Sequence, residues 1–188
     1  MIIRPTTKEL LAASLKELSA QKSVDKITVR EIAQNCGFTA KTFYNHFRDK
    51  YELIEWIYST AVEKIMRNLG VDGCEWRDVV RGTFQYFLDN REFLKNLTAN
   101  TSGQDSFINY VAQFSVKIFS EYITRTQNWD ELPRELEIFV RIYCYGIVCT
   151  FCEFLTAPIP VSDEEFVALI EQALPEPLKK YLYKNPKA

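Results

Sequence analysis

Residues 28–50, TVREIAQNCGFTAKTFYNHFRDK, constrain this chain more than any other stretch. Thr28 and Glu31 have the Ser/Thr-x-x-Glu/Gln spacing in which the hydroxyl and the carboxylate each satisfy a free backbone N–H at a helix start. A short helix is therefore expected from Thr28, with Ile32 and Ala33 inward. It should stop at Gly37, which can take the left-handed conformation without a Cβ clash. Thr39 can cap a second helix, where Phe43 and Phe47, four residues apart, mark a buried face. Lys41, Thr42, Tyr44, Asn45 and His46 are spread around the remainder.

Two short helices joined by a Gly-containing turn make a helix-turn-helix, whose second helix fits the major groove of B-DNA. The residue types suit that task. Lys41, His46, Arg48 and Lys50 can meet phosphate or base acceptors, Asn45 can pair with adenine, and Ala40 and the Thr42 methyl can touch thymine methyls.

The stretches Thr28-Val29-Arg30-Glu31-Ile32-Ala33, Gly37-Phe38-Thr39 and Thr42-Phe43-Tyr44-Asn45-His46-Phe47-Arg48-Asp49-Lys50-Tyr51-Glu52-Leu53 resemble the DNA-binding domain of the tetracycline-repressor-like (TetR) family of bacterial regulators. The resemblance covers about the first 55 residues. It implies an all-α fold in which an N-terminal three-helix helix-turn-helix domain is joined to a helical-bundle body for ligand binding and dimerisation, about nine helices in total. The expected domains are residues 1–50 and 51–188. DNA contacts are expected at Thr28, Arg30, Thr39, Ala40, Lys41, Thr42, Tyr44, Asn45, His46 and Lys50, with Lys50 on a phosphate and Tyr44 against the DNA backbone.

Charge is divided along the chain as that reading requires. The net charge is −2, yet residues 1–50 hold nine Lys/Arg against five Asp/Glu while residues 51–188 hold fourteen against twenty. A basic head on an acidic body is the electrostatic pattern of a DNA reader. The N-terminus lacks the continuous apolar core of a signal peptide, and five cysteines without an export signal suit free thiols in a reducing cytosol. The expected location is the cytoplasm, at the nucleoid.

Helical periodicity accounts for most of the rest. Thr6 and Glu9 repeat the capping spacing ahead of a first helix to about Lys22, and Asp49 opens a fourth with an apolar stripe to Leu69. Helices follow over 76–89, 91–97 and 106–125, with residues 98–105 a polar loop. From 138 to 155 the chain is apolar almost all round; Arg141 and Glu153 exclude a membrane span, so one side must meet the body's core and another a partner. Ser162 and Glu165 cap a last helix, and residues 175–188 read as a loosely attached turn or two. The resemblance implies that the helices at about 134–155 and 162–174 pair with their copies in a homodimer.

His46 is the sole histidine, which removes metal and triad arrangements that need several. Cys149 and Cys152 form C-x-x-C with Cys144 nearby, but apolar surroundings and the absence of a second ligand pair favour packing over metal or redox chemistry. No metal, cofactor or catalytic residue is expected, and no carboxylate pair, phosphate loop or nucleophile-base constellation points to an enzyme.

Twenty-two of the 26 aromatics lie in residues 51–188. The family's bodies enclose a pocket for a small inducer, for which Phe84, Phe107, Tyr110, Phe114 and Tyr143 are the candidate lining. The reading is thus a homodimeric repressor released from a pseudo-palindromic operator by a small molecule. Two alternatives stay open: a regulator or activator controlled by a protein partner, as in a Gram-positive subgroup resembling regulators of dihydroxyacetone kinase genes, and a DNA-binding recruitment module without a ligand.

Overall fold

In a computed structural model, which describes residues 4–100, 106–157 and 162–183, the chain is all-helical. Ten α-helices and one 3₁₀ turn are found among the described residues: α1 (Thr7–Ser19), the turn Val24–Lys26, α2 (Val29–Asn35), α3 (Ala40–Tyr44), α4 (Lys50–Met66), α5 (Trp76–Asp89), α6 (Arg91–Asn100), α7 (Phe107–Gln127), α8 (Arg134–Thr156), α9 (Asp163–Gln172) and α10 (Glu176–Leu182).

Local signals start and stop these helices as their chemistry demands. Thr6 with Glu9, Thr28 with Glu31 and Ser162 with Glu165 form reciprocal capping boxes. Asp49 caps α4 by accepting from the Tyr51 and Glu52 backbone N–H groups, each at 2.9 Å. Gly37, at φ +77°, ends α2; its N–H donates to Gln34 O and the Phe38 N–H reaches Ala33 O at 2.8 Å. That pair of bonds is a Schellman stop, and it sets the angle at which α3 leaves α2.

α1, α2 and α3 close around Leu11, Leu15, Ile32, Ala33, Phe43 and Phe47. The buried Ser14 hydroxyl donates to Ile32 O at 2.7 Å, pinning α1 to α2 where a plain apolar contact would leave that carbonyl free to slide. α4 then runs out of this head into a bundle in which α7 and α8 pack most extensively and α5 lies against α9. At about 1.5 Å per residue, the 17 residues of α4 span roughly 25 Å without interruption.

Two expectations change. The segment read as a loop from residue 98 is helical through Asn100, because Leu97 is fully buried and the Thr98 hydroxyl and Asn100 amide bond back into their own helix; residues 101–105 lie outside the described residues. The C-terminal segment is a docked helix: Leu178 and Leu182, one turn apart, are both buried and Tyr183 donates to Glu171 Oε1 at 2.8 Å, with residues 184–188 outside the description. With α10 the described residues form ten helices, in line with the expected nine or so. α8 meets the body's core on one side, as its pattern requires, and leaves apolar residues open on the other. It is long and apolar enough to cross a membrane, at a mean hydropathy of 1.7, but Tyr143, Cys144, Val148, Phe151 and Leu155 are buried in the bundle while Ile138 and Ile142 are exposed.

Candidate nucleic-acid interface and apolar slot

The α2–α3 face presents the expected side chains outward. Arg30, Thr39, Lys41, Tyr44, Asn45 and His46 are exposed, and Ala40 and Thr42 are partly so. Thr39 spends its hydroxyl on the Thr42 N–H (3.3 Å), and Thr28 is occupied in the α2 capping box. Tyr44 is 59% exposed although its ring edge rests on Phe43, 5.7 Å away between centroids, so a large aromatic is held rigidly in water.

Two residues are placed differently from expectation. α3 ends at Tyr44, so His46 stands in the turn beyond it and not on the helix. Lys50 turns inward: its ammonium donates to the carbonyls of Val24 (2.8 Å), Asp25 (2.6 Å) and Ile27 (2.9 Å). All three donors are thereby used on the 3₁₀ turn. A lysine at the N-terminus of α4 therefore clasps the α1–α2 connection, which a sequence pattern alone cannot distinguish from a lysine extended toward phosphate.

The head is also tied to the body at a point the sequence reading missed. Asn96, in the middle of α6, donates to Ser19 O (2.7 Å) and Lys22 O (2.9 Å) and accepts from the Val24 N–H (2.9 Å). Asn100 props the same side chain by donating to its Oδ1 at 2.9 Å, and Lys16 donates to Asn90 Oδ1 at 2.7 Å. The one available signal was Asn, a poor helix former, set between the buried Leu94 and Leu97.

Glu31 adds a pH-sensitive element. The Lys22 ammonium hydrogen-bonds its carboxylate, and the Thr28 N–H and hydroxyl do likewise, which holds its pKa down to about 2. Because the folded value lies below the unfolded one, the stabilisation is complete above the ordinary glutamate range near pH 4.5 and is lost as pH falls toward 2. Chemical denaturation of wild type and Glu31→Gln should therefore show a stability gap that is constant from pH 7 to about 5 and narrows steadily in acid. A gap that widens in acid would contradict this assignment.

Within the body, an apolar cavity of about 70 Å³ lies between α4, α5, α7 and α8, with Ile170 of α9 at one end. Tyr58, Val62 and Met66 of α4 form one wall, so the helix that enters the head also borders the slot. Trp76 stacks on Phe119 with centroids 4.9 Å apart, and its Nε1 donates to the Tyr143 hydroxyl (3.1 Å), which donates to Ile170 O (2.9 Å).

Of the five aromatics proposed from sequence, Tyr143 reaches this slot. Phe84 is packed against Phe151, Phe154 and Phe166, while Phe107, Tyr110 and Phe114 surround the Tyr58 ring from its other sides. Tyr86 lies beside the same ring, and its hydroxyl is buried without a partner among the described residues. The C-x-x-C cysteines point apart, Cys149 exposed and Cys152 buried; burial pushes the Cys144 and Cys152 thiols up to about 12, where they behave as small apolar groups.

A helix-turn-helix head held on an α-helical body with an apolar slot is the architecture of a DNA-binding transcription regulator. Residues 10–57 match the family model for bacterial regulatory proteins of the tetR family, and residues 74–176 match the model for the TetR-type transcriptional regulator C-terminal region. The chain belongs to the TetR family. It is similar to the HTH-type dhaKLM operon transcriptional activator DhaS of Lactococcus lactis subsp. lactis (strain IL1403), at 22% identity over 145 residues covering 76% of this chain and 75% of that protein.

Among solved structures, the dihydroxyacetone kinase operon activator DhaS aligns with a TM-score of 0.60 at 20% identity, covering 89% of this chain and 93% of that one. FadR of Thermus thermophilus, a TetR family repressor solved in complex with lauroyl-CoA, aligns at 0.56 and 15% identity, covering 96% and 98%. At these identities the likeness is one of fold.

Proposed function

We propose that this regulator is a homodimer that represses by occupying a pseudo-palindromic operator and is released by a small molecule bound in the body. The observation that carries the reading is α4: its N-terminal end clasps the head through Lys50 and its C-terminal half walls the apolar slot. A ligand that favours one tilt of α4 shifts the population of one recognition-helix spacing. Successive major grooves require the two helices about 34 Å apart.

In this reading the head comprises residues 1–50 and the body 51–188, the boundary falling at the start of the continuous α4. Thr39, Ala40, Lys41 and Thr42 read base edges with Asn45, while Arg30, Tyr44, His46 and the N-terminus of α2 at Thr28 hold the backbone. Lys50 positions the head. The partner copy covers the exposed apolar residues of α8 and α9, Ile138, Ile142 (65% exposed) and Leu169, and Gly146, where an added Cβ would meet nothing within 4 Å, leaves room for close approach. The site of action is DNA in the cytoplasm. The likeness to an operon activator supports a second reading, in which the same dimer activates.

The test is selection of genomic fragments at moderate salt by wild type beside Tyr44→Ala and Lys41→Ala, with sedimentation of Ile142→Glu. Each head variant should lose about 10- to 100-fold in affinity, the loss of one good base or backbone contact, and the selected fragments should share a palindrome. Ile142→Glu should sediment as a monomer and lose the operator. Sequence-independent binding that both head variants retain would remove the recognition-helix assignment.

A further inference from the structure

Among the described residues, Tyr44, Tyr51 and Trp129 are the exposed large aromatics, and Trp129 alone lies away from the helix-turn-helix. Tyr51, in the first turn of α4, is 44% exposed. Side chains in that turn lean back over the helix N-terminus, away from the body. Its hydroxyl makes no hydrogen bond to another described residue.

The other donors of this turn are largely committed. The Lys50 ammonium is spent on the carbonyls of Val24, Asp25 and Ile27. Asp49 accepts from the Tyr51 and Glu52 N–H groups, Glu52 accepts from the Arg48 N–H, and Arg48 Nε is drawn onto Asp49 Oδ2 at 3.2 Å. Arg48 and Lys50 balance Asp49 and Glu52, so the turn has no net charge to set against a phosphate. What it retains is a neutral donor, the Tyr51 phenol.

That phenol is also held in place. The Tyr51 ring lies on the Lys50 ammonium, 5.4 Å from centroid to Nζ. The ammonium is itself fixed on three carbonyls, so the ring has a rigid seat beside the turn that leads into α2 at Thr28. A side chain ordered in advance loses little freedom on binding.

We infer that Tyr51 is a DNA-backbone contact whose hydroxyl donates to a phosphate oxygen, in the role that the sequence pattern gives to Lys50, and that Lys50 serves as the seat of its ring. This rests on the placement of α3 in the major groove. A phosphate contact fixes register without reading sequence, and a neutral donor adds no counterion release.

The test uses full-length protein, the selected operator, and duplexes in which one phosphate at a time is replaced by a neutral methylphosphonate. Tyr51→Phe keeps the ring on Lys50 and should leave the unfolding midpoint unchanged. It should bind about tenfold more weakly, the loss of one hydrogen bond to a charged acceptor, and by the same factor on operators carrying single base-pair changes. The salt dependence of its affinity should match wild type, whereas Arg30→Ala should lower the slope by about 1. At one phosphate of each half-site, methylphosphonate should weaken wild type and leave Tyr51→Phe unaffected.

Wild-type affinity in Tyr51→Phe, or methylphosphonate costs equal in the two proteins at every position, would overturn the assignment. So would a cost that persists in Tyr51→Phe and disappears in Arg48→Met, which would give the contact to Arg48. An operator lost by Tyr44→Ala but not by Tyr51→Phe keeps the recognition-helix reading and removes this contact. If wild type prefers no sequence, that reading falls, and weaker binding of Tyr51→Phe to a random duplex still upholds the phosphate contact.

Discussion

Replacing Phe43 by alanine is expected to unfold the head while leaving the body helical. Phe43 is fully buried, its ring lies 5.8 Å from Phe47, and Phe47 in turn lies 5.9 Å from Trp56 on α4. Truncating a buried aromatic costs about 3–5 kcal/mol, part from lost transfer free energy and part from the cavity left behind. The head has few residues with which to absorb that loss, since α2 and α3 are seven and five residues long and too short to persist without tertiary packing. Hydrogen exchange should show amides of 28–50 losing protection while those of α7 and α8 keep theirs, and operator binding should vanish. A variant that binds operator with wild-type affinity would show that α3 is held by something other than this aromatic chain.

The second large effect is expected at Asn96. Asn96→Ala deletes four hydrogen bonds at once, the one from Asn100 included, and strands the carbonyls of Ser19 and Lys22 and the N–H of Val24 at a partly buried junction. With a net cost of about 1 kcal/mol for each lost bond, the expected destabilisation is about 4 kcal/mol, less whatever water recovers. Its location separates it from an ordinary core defect. The bonds join α6 of the body to the end of α1 and the 3₁₀ turn that Lys50 also clasps, so both the head and its signalling helix lose a shared anchor. Denaturant unfolding should become less cooperative, with the head melting first, and the ligand response of operator binding should weaken more than ligand affinity itself. Asn96→Asp, which keeps the acceptor for Val24 but sets a carboxylate oxygen against the Ser19 and Lys22 carbonyls, should destabilise at least as much as Asn96→Ala. Equal unfolding midpoints for wild type and Asn96→Ala would exclude this junction as a coupling point.

Both predictions concern the join between head and body, and the coupling can be followed residue by residue. In the proposed mechanism it would pass along α4, where Tyr58 lines the slot and Trp56 packs on Phe47 beneath α3. From α6 it passes through Asn96 to the turn at Val24, and Lys50 closes the circuit between the two. Two rigid helices acting on one turn give the head a defined set of orientations, which is what a spacing-dependent operator response requires.

Reading the chain alone recovered whatever a few neighbouring residues decide. Thr28 with Glu31, Gly37 at the turn, Thr39 ahead of α3 and Ser162 with Glu165 act within four positions of themselves, so the helix-turn-helix and most helix starts were visible as spacing. Periodicity likewise marked α5 and α7 and the inward faces of Phe43 and Phe47. It could not say which neighbour an inward face would meet. Phe84 and Tyr143 both point into the body, yet one is packed among phenylalanines and the other lines the slot, because a cavity is a property of how several helices fail to fill a shared volume. Lys50 reaching back 23 to 26 residues, Asn96 reaching back 72 to 77 and the docking of α10 depended in the same way on distant backbone groups needing partners at places that only the assembled fold brings near. The sequence by itself thus determined a DNA-reading head on a helical body, through interactions local in the chain. The tertiary structure decided how the two are joined and where the body leaves an apolar slot, since both turn on packing and hydrogen bonds between residues far apart in sequence.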